Sequence, residues 1–161
     1  MDLKETDRYL RQPRINYEEN LYKRMDDFRR QEILCDTILQ VDGQEFPAHK
    51  NVLAACSEYF LGLFTSDMKE KHQLEVKLEG FRAFVMNDLL HYIYTGEVEI
   101  TDENVKELVF AADYLLITSL KDKGSEYLEG ILNPSNCLSM RAFSEKFDCE
   151  ELMDRSEEHT S

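Results

Sequence analysis

The stretch from Leu34 to Phe64 constrains the fold of this chain most. Within it, the spacing of the apolar residues changes from that of a strand to that of a helix. In its first part, every second residue is expected to face the same side, which is the period of a β-strand. These residues are Thr37, Leu39 and Val41. Asp42-Gly43 follows, a pair favoured where a tight hairpin turn requires positive φ. The return strand is predicted over residues 44–46, and Pro47 is expected to end it because proline cannot donate to the ladder.

Helical spacing begins after Ala48. A first short helix is predicted to bury a face made of Val52, Leu53 and Cys56. Ser57 has the side chain of an N-cap residue, so a second short helix is expected to begin there. That helix carries apolar residues at helical spacing: Tyr59, Phe60, Leu63 and Phe64. The stretch therefore predicts an α+β fold, in which a small sheet is flanked by a helical cluster.

Alternating apolar residues predict a third strand further along the chain: Leu74, Val76 and Leu78. A helix follows, and its apolar face is formed by Phe81, Phe84, Val85, Leu89, Tyr92 and Ile93. Gly96 is expected to end this helix, because glycine readily takes the left-handed conformation of a C-cap. Val98 and Ile100 are expected to form a very short strand.

Three more helices are predicted in the C-terminal third of the chain. Thr101 is expected to cap the first of them, with a core face formed by Val105, Leu108, Val109, Ala112 and Leu116. Residues 117–119 break the pattern, and the second helix is expected over residues 120–131. Asn133-Pro134 marks a boundary, since proline suits the first turn of the third helix, which is predicted over residues 137–147.

Residues 1–15 lack periodicity and are predicted to be a flexible arm. Asn16 and Glu19 have the spacing of a capping box, so a helix of about sixteen residues is expected to begin at Asn16. Its apolar stripe consists of Tyr17, Leu21, Met25 and Phe28. The stripe either packs against its own domain or covers a partner helix. The second interpretation is favoured, because the helix precedes the hairpin and does not lie between core elements.

Several groups of residues resemble signatures of the BTB/POZ domain family, in the same order: Cys35-Asp36, Phe46-Pro47-Ala48-His49-Lys50, Val52-Leu53-Ala54-Ala55, Ser57-x-Tyr59-Phe60, Tyr92-Ile93-Tyr94-Thr95-Gly96 and Ala111-Ala112-Asp113-Tyr114-Leu115. The resemblance covers about residues 17–131 and is nearest to the BTB-Kelch type, because the following residues resemble the start of a BACK domain. It implies a BTB/POZ domain over residues 16–131 and a truncated BACK domain over residues 132–161. It also implies that the N-terminal helix is a dimerisation helix.

The resemblance implies a function as well: a dimeric substrate adaptor that docks onto a cullin-3 RING ubiquitin ligase scaffold. Parts outside this sequence would capture the protein substrate. Members of the family that bind the N-terminal domain of cullin-3 carry a hydrophobic-x-Glu motif after the second short helix, and Met68 and Glu70 match it. Tyr114 and Leu115 are expected to flank the same surface.

Two other uses of the BTB fold are alternatives. One is an oligomerisation and corepressor-binding module of a transcriptional regulator, in which an acid and a base form a charged pocket near the dimer axis. Asp36 and Lys50 match those positions, and we expect them to form a supporting structural pair in preference to a corepressor site. The other, potassium-channel tetramerisation, is disfavoured because no transmembrane segment follows and the first helix is long.

The charge of the chain is −14, and residues 1–34 contribute nothing to it. Nucleic acid is therefore not an expected partner, since phosphate binding needs clustered Lys and Arg. No apolar run approaches the ~20 residues of a membrane span, and the N-terminus does not resemble a secretory signal. The expected location is the cytoplasm, with the nucleus as a second compartment.

The sequence predicts no catalytic, metal or cofactor site. It contains no Gly-rich phosphate loop, no HExxH and no GxSxG motif. His49 and Cys56 are too far apart on one short helix to form a nucleophile–base pair, and His49 is expected to pack near the core with both ring nitrogens satisfied. Close ligand pairs for zinc are absent, so the cysteines are expected to be reduced thiols: Cys35, Cys56, Cys137 and Cys149.

Overall fold

A computed structural model describes residues 14–66 and 74–147 of the chain. Within these ranges the chain forms three strands and seven helices. The strands are β1 (Thr37–Val41), β2 (Gln44–Ala48) and β3 (Glu75–Leu78). The helices are α1 (Arg14–Arg30), α2 (Lys50–Cys56), α3 (Glu58–Thr65), α4 (Ala83–Thr95), α5 (Val105–Tyr114), α6 (Thr118–Gly130) and α7 (Cys137–Phe147).

The sheet has the order β2-β1-β3, with β1 antiparallel to β2 and parallel to β3. The predicted hairpin turn is confirmed: Asp42 and Gly43 have φ of 53° and 74°, and they join strands in which Val41 lies opposite Gln44. The expected stop at Pro47 is wrong, because Pro47 pairs with Ile38 inside β2. An edge strand tolerates proline, since one side of its backbone has no ladder partner in the described sheet.

The main core lies between one face of the sheet and helices α2 to α5. β1 alternates as predicted, and Thr37, Leu39 and Val41 are fully buried. The largest helical contribution comes from α4, which buries Val85, Met86, Leu89, Leu90, Tyr92 and Tyr94. The expected left-handed C-cap of α4 is confirmed at Gly96, with φ of 76°. The mixed α/β architecture that the sequence predicts is therefore the observed one.

Three local predictions differ from the structure. Helix α1 begins at Arg14, so Asn16 lies inside it and does not cap its N-terminus. Residues 97–100 form no strand, although Val98 and Ile100 do pack against the core. Helix α5 ends at Tyr114, before Leu116, which was expected on its core face.

A smaller core joins α5, α6 and α7 through Val105, Val109, Leu128 and Met140. Gly124 of α6 faces α5 so closely that a β-carbon there would collide with the Val109 side chain. Glycine is required at this position by the close approach of the two helices. Helix α7 is thus attached to the end of the domain through α5 and α6.

A buried hydrogen-bond network connects three segments that are distant in sequence. The Tyr94 hydroxyl accepts the backbone N–H of His49 at 2.9 Å and lies 2.7 Å from Nδ1 of the same residue. Nε2 of His49 lies 2.8 Å from the Ile33 carbonyl oxygen, which can only accept, so Nε2 carries the proton. Nδ1 is therefore the acceptor for the Tyr94 hydroxyl, and both ring nitrogens of His49 are satisfied as predicted.

Tyr94→Phe should lower the free energy of unfolding by about 1–3 kcal/mol, because His49 loses a partner for its N–H and for Nδ1. Burial raises the pKa of Tyr94 to about 12. The protonated hydroxyl thus stabilises the fold fully below the pKa of tyrosine in the unfolded chain, which is about 10. This contribution is lost as pH rises towards 12. Urea unfolding at about pH 8 and about pH 11 should show the wild type–variant difference shrinking at the higher pH. A difference that stays constant would contradict this assignment.

Candidate functional site

The predicted partner-binding residues divide between the described and undescribed parts of the chain. Met68 and Glu70 lie outside the described residues. Tyr114 is 46% exposed at the end of α5, and its ring centroid lies 5.3 Å from that of Tyr59 and 5.4 Å from that of Phe81. Burial, together with a hydrogen bond to Tyr114, raises the pKa of Tyr59. Tyr114 is therefore a partly exposed aromatic side chain that packs against two other rings.

The expectation that Leu115 flanks the same surface needs correction. Its side chain is fully buried, and the exposed neighbour is Leu116, with 54% of its surface accessible. Helical periodicity in the sequence predicted Leu116 on the core face, whereas the expectation for Leu115 came from the family resemblance. The backbone turns after Tyr114, and because of that turn Leu115 faces the core and Leu116 is exposed.

Ser57 holds this turn in place. Its hydroxyl accepts the N–H of Phe60 at 3.2 Å, which makes Ser57 the N-cap of α3 as predicted. The same hydroxyl donates to the Leu115 carbonyl oxygen at 2.5 Å. One buried side chain therefore fixes the start of α3 against the end of α5. The sequence indicated the first role through the N-cap pattern and carried no signal for the second.

The apolar stripe of α1 is divided by its packing. Tyr17 and Leu21, in the N-terminal half, are 67% and 42% exposed. Met25 and Phe28, in the C-terminal half, are partly buried, and Met25 packs against the main core. The two interpretations of the stripe thus each describe one half of the helix: the C-terminal half docks on its own domain, and the N-terminal half faces outward.

A charged cluster anchors the docked half of α1. Asp26 is buried, and its Oδ1 accepts from Nε and Nη2 of Arg29 at 3.0 and 2.7 Å. Its Oδ2 accepts from Nε of Arg30 at 3.1 Å and lies 3.8 Å from Nδ1 of His91 on α4. A buried carboxylate is tolerated only when it is paired in this way. The cluster thus holds α1 against α4.

A cleft of about 620 Å³ lies beside the exposed half of α1. It is lined by α1, α2, the end of α4 and the first turn of α6, through residues that include Tyr22, Val52, Cys56, Tyr92 and Ser119. Burial raises the pKa of the Cys56 thiol, which disfavours the reactive thiolate. The α1 residues that line this cleft are Tyr22 and Met25.

Asp36 contacts the backbone of Lys50. Oδ1 of Asp36 accepts the N–H of Lys50 at 2.7 Å, and Lys50 is the first residue of α2. The Lys50 ammonium group lies 5.6 Å from the centroid of the Phe64 ring. The carboxylate therefore satisfies one of the unpaired N–H groups at a helix N-terminus, where negative charge is also favourable.

Within residues 14–66 and 74–147, no group of three or more His, Cys, Asp or Glu side chains is arranged to hold a metal ion. Cys35, Cys56 and Cys137 are free thiols. No helix of the described part is long and apolar enough to cross a membrane. Exposed apolar side chains lie at two places described above: the turn at Tyr114 and the outer half of α1.

Comparison with known proteins decides the family of this chain. The family model of the BTB/POZ domain matches residues 25–132. The chain belongs to the BTB/POZ family. The BTB domain of zebrafish PATZ1 has the same fold, with a TM-score of 0.64 and 31% identity over 71% of this chain and 92% of that chain.

Curated relatives of this BTB/POZ chain include several Kelch-like proteins. Kelch-like protein 2 of Rattus norvegicus is 38% identical over 135 residues, and Kelch-like protein 3 of Homo sapiens is 36% identical over the same length. Each match spans 84% of this chain and 23% of the relative. Kelch-like protein 1 of Mus musculus is 36% identical over 146 residues, which is 91% of this chain and 19% of that protein. The chain thus spans less than a quarter of the length of these relatives.

Asp36→Ala in this BTB/POZ domain should lower the free energy of unfolding by about 1 kcal/mol, because the N-terminus of α2 loses an acceptor. Asp36→Asn retains an acceptor oxygen and should keep most of the stability. Lys50→Ala is the matched control, since it leaves the backbone N–H in place. Urea unfolding measures all three variants. An equal loss in Asp36→Ala and Lys50→Ala would show instead that the two side chains pair.

Proposed function

We propose that this chain is the dimeric, non-catalytic adaptor module of a cullin-3 RING ubiquitin ligase, with the protein substrate captured by a further domain. The observation that carries the proposal is the exposed Tyr114, packed against Tyr59 and Phe81 on a BTB/POZ domain similar to those of Kelch-like proteins. Tyrosine is enriched among the residues that dominate protein–protein binding energy. A ring held by Tyr59 and Phe81 loses little freedom on binding.

The position of Tyr114 supports docking through the Met68-x-Glu70 segment. Tyr59 belongs to α3, the helix that leads into this segment, and Phe81 follows β3, the strand that comes after it. Tyr114 thus contacts elements on both sides of the segment. Methionine fills irregular apolar pockets, and a glutamate accepts charge-assisted hydrogen bonds, so the segment and Tyr114 together offer a suitable docking surface.

The corepressor-binding alternative receives less support. Its charged pocket requires the side chains of Asp36 and Lys50 to act together at a surface. The carboxylate of Asp36 accepts the backbone N–H of Lys50 at the start of α2. This geometry fits a structural cap.

We place the start of a BACK domain at residues 132–161, after a BTB/POZ domain that extends to residue 131. The predicted boundary between the arm and this domain, at residues 15 and 16, moves to the start of α1 at Arg14. Helix α7, which lies in the proposed BACK segment, packs on α5 and α6 through Met140. Leu138, on the same helix, is exposed. An additional helical surface beside α5 and α6 is consistent with a longer docking surface for the cullin scaffold.

A homodimer should form through the exposed half of α1, because Tyr17 and Leu21 would otherwise leave an apolar face in water. Tyr17→Asp combined with Leu21→Asp should convert a dimer to a folded monomer in light scattering. Both residues lie outside the anchored half of the helix, so the fold should survive. Leu34→Asp combined with Leu138→Asp adds the same charge at two other exposed leucines and should remain dimeric. A wild-type monomer at micromolar concentration would contradict the dimer.

Binding to the N-terminal domain of cullin-3 should be measured by calorimetry with the full chain. Met68→Ala combined with Glu70→Ala should weaken binding at least tenfold, or ~1.4 kcal/mol, while the dimer stays folded. Lys69→Ala combined with Lys71→Ala is the matched control from the same segment and should bind within about twofold of the wild type. Equal affinity of the Met68/Glu70 variant and the wild type, or no wild-type binding, would reject the proposed function.

A further inference from the structure

His91 of α4 lies between two oppositely charged residues of α1. Its Nδ1 is 3.5 Å from Nη2 of Arg30 and 3.8 Å from Oδ2 of Asp26. Arg30 itself donates from Nε to the same Oδ2 at 3.1 Å. Asp26 is buried, whereas the side chains of His91 and Arg30 are 38% and 59% exposed, so solvent reaches both of them. One carboxylate oxygen therefore lies within reach of two basic side chains.

The protonation state of His91 decides which of these neighbours it attracts. A guanidinium group can only donate, so Nδ1 of a neutral His91 is an acceptor for Nη2 of Arg30. A proton on Nδ1 turns this nitrogen into a donor. It then repels Arg30 and attracts Oδ2 of Asp26, which lies beyond hydrogen-bonding distance in the structure. Histidine is the side chain whose charge normally changes between about pH 5 and 8.

The two pairings of Asp26 have different consequences for α1. Asp26 and Arg30 are four residues apart on the same helix, so their ion pair stabilises α1 without attaching it to the rest of the domain. Asp26 and His91 lie on different helices, and a charge-assisted hydrogen bond between them joins α1 to α4 directly. Arg29 bonds to the other oxygen, Oδ1, so the buried carboxylate has a partner in both pairings.

The surroundings of His91 favour its protonated form. A cavity of about 380 Å³ opens beside it, between α1 and the end of α4, and gives the Arg30 side chain room to move away. Among the described residues, the charged groups that line this cavity, pair with Asp26 or interact with His91 are five carboxylates and three cations: Glu19, Asp26, Asp27, Asp88, Glu97, Lys23, Arg29 and Arg30. The remaining lining side chains are the hydroxyl-bearing Tyr22 and Thr95. This excess of negative charge attracts a proton to the imidazole.

We propose that His91 is a pH-sensitive latch, which replaces Arg30 at Oδ2 of Asp26 when it is protonated and fastens α1 to α4. Acidification then holds the C-terminal half of α1 more firmly against the domain. The orientation of the outer half, which carries Tyr17 and Leu21, becomes better defined at the same time. The latch is built from the side chains of one chain and needs no partner.

Hydrogen exchange of the full chain tests the latch. We expect the amide protection of residues 25–30, corrected for the intrinsic pH dependence of exchange, to rise about two- to fivefold from about pH 8 to about pH 5.5, as for a partly exposed ion pair. A partner gained by the protonated form stabilises at low pH, and this contribution is lost as pH rises through the range in which histidine titrates. His91→Gln keeps a hydrogen-bonding side chain without a titratable charge and should show no such rise.

A second variant tests the exchange of partners. Arg30→Gln removes the competing cation, so the midpoint of the rise in protection should move to higher pH. Arg24→Gln is the matched control, because it removes the same charge from α1 at a residue that contacts the Phe28 ring. It should leave the midpoint at the wild-type pH.

Three results would overturn the latch. One is an equal rise in the wild type and His91→Gln, and another is protection that falls on acidification, because repulsion from Arg29 and Arg30 would then dominate. The third is a rise of equal size in β1, which would assign the effect to the stability of the whole domain. An unmoved midpoint in Arg30→Gln would overturn the exchange of partners at Asp26. None of these measurements involves cullin-3, so failure of the latch leaves the proposed function standing.

Discussion

The structure depends on a single buried hydroxyl, that of Tyr94. It pairs with the backbone N–H and with Nδ1 of His49, and Nε2 of His49 then holds the Ile33 carbonyl oxygen. Three segments meet there: the last turn of α4, the start of α2 and the connection between α1 and β1. The Arg29 guanidinium lies 5.3 Å from the centroid of the Tyr94 ring and also pairs with Asp26. The network is therefore connected to the contacts that anchor α1, and those contacts set the direction in which the outer half of α1 faces.

Helix α2 links the two proposed interaction surfaces. It is seven residues long, and a polar anchor lies at each end. His49 precedes it and connects to the base of α1, while Ser57 follows it and connects to the turn after α5. A shift of this short helix would move the outer half of α1 and the Tyr114 turn together. The proposed dimer surface and the proposed docking surface are thus connected to one shared helix, although they use separate side chains.

Much of the fold could be predicted because it depends on short local sequence patterns. The Asp42-Gly43 turn, the Ser57 cap and the Gly96 C-cap each depend on the chemistry of one or two residues, and all three are confirmed. Predictions that required long-range information were less successful. Pro47 is accepted within β2 only because of the strand order of the sheet. The exchange of Leu115 and Leu116 results from a turn that Ser57 holds from 58 positions away, which helical periodicity cannot reveal.

The central position of β1 also has a consequence for folding kinetics. β1 joins β2 through a two-residue turn, but it joins β3 by parallel pairing, with Thr37 bonded to Leu74 across 37 positions of the chain. Closing this long loop costs entropy before any contact is gained, so we expect the hairpin to form before β3 is added. The segment that carries Met68 and Glu70 connects α3 to β3, and its two ends approach only in that late step. A nascent or partly folded chain would therefore lack the assembled surface on which the proposed docking depends.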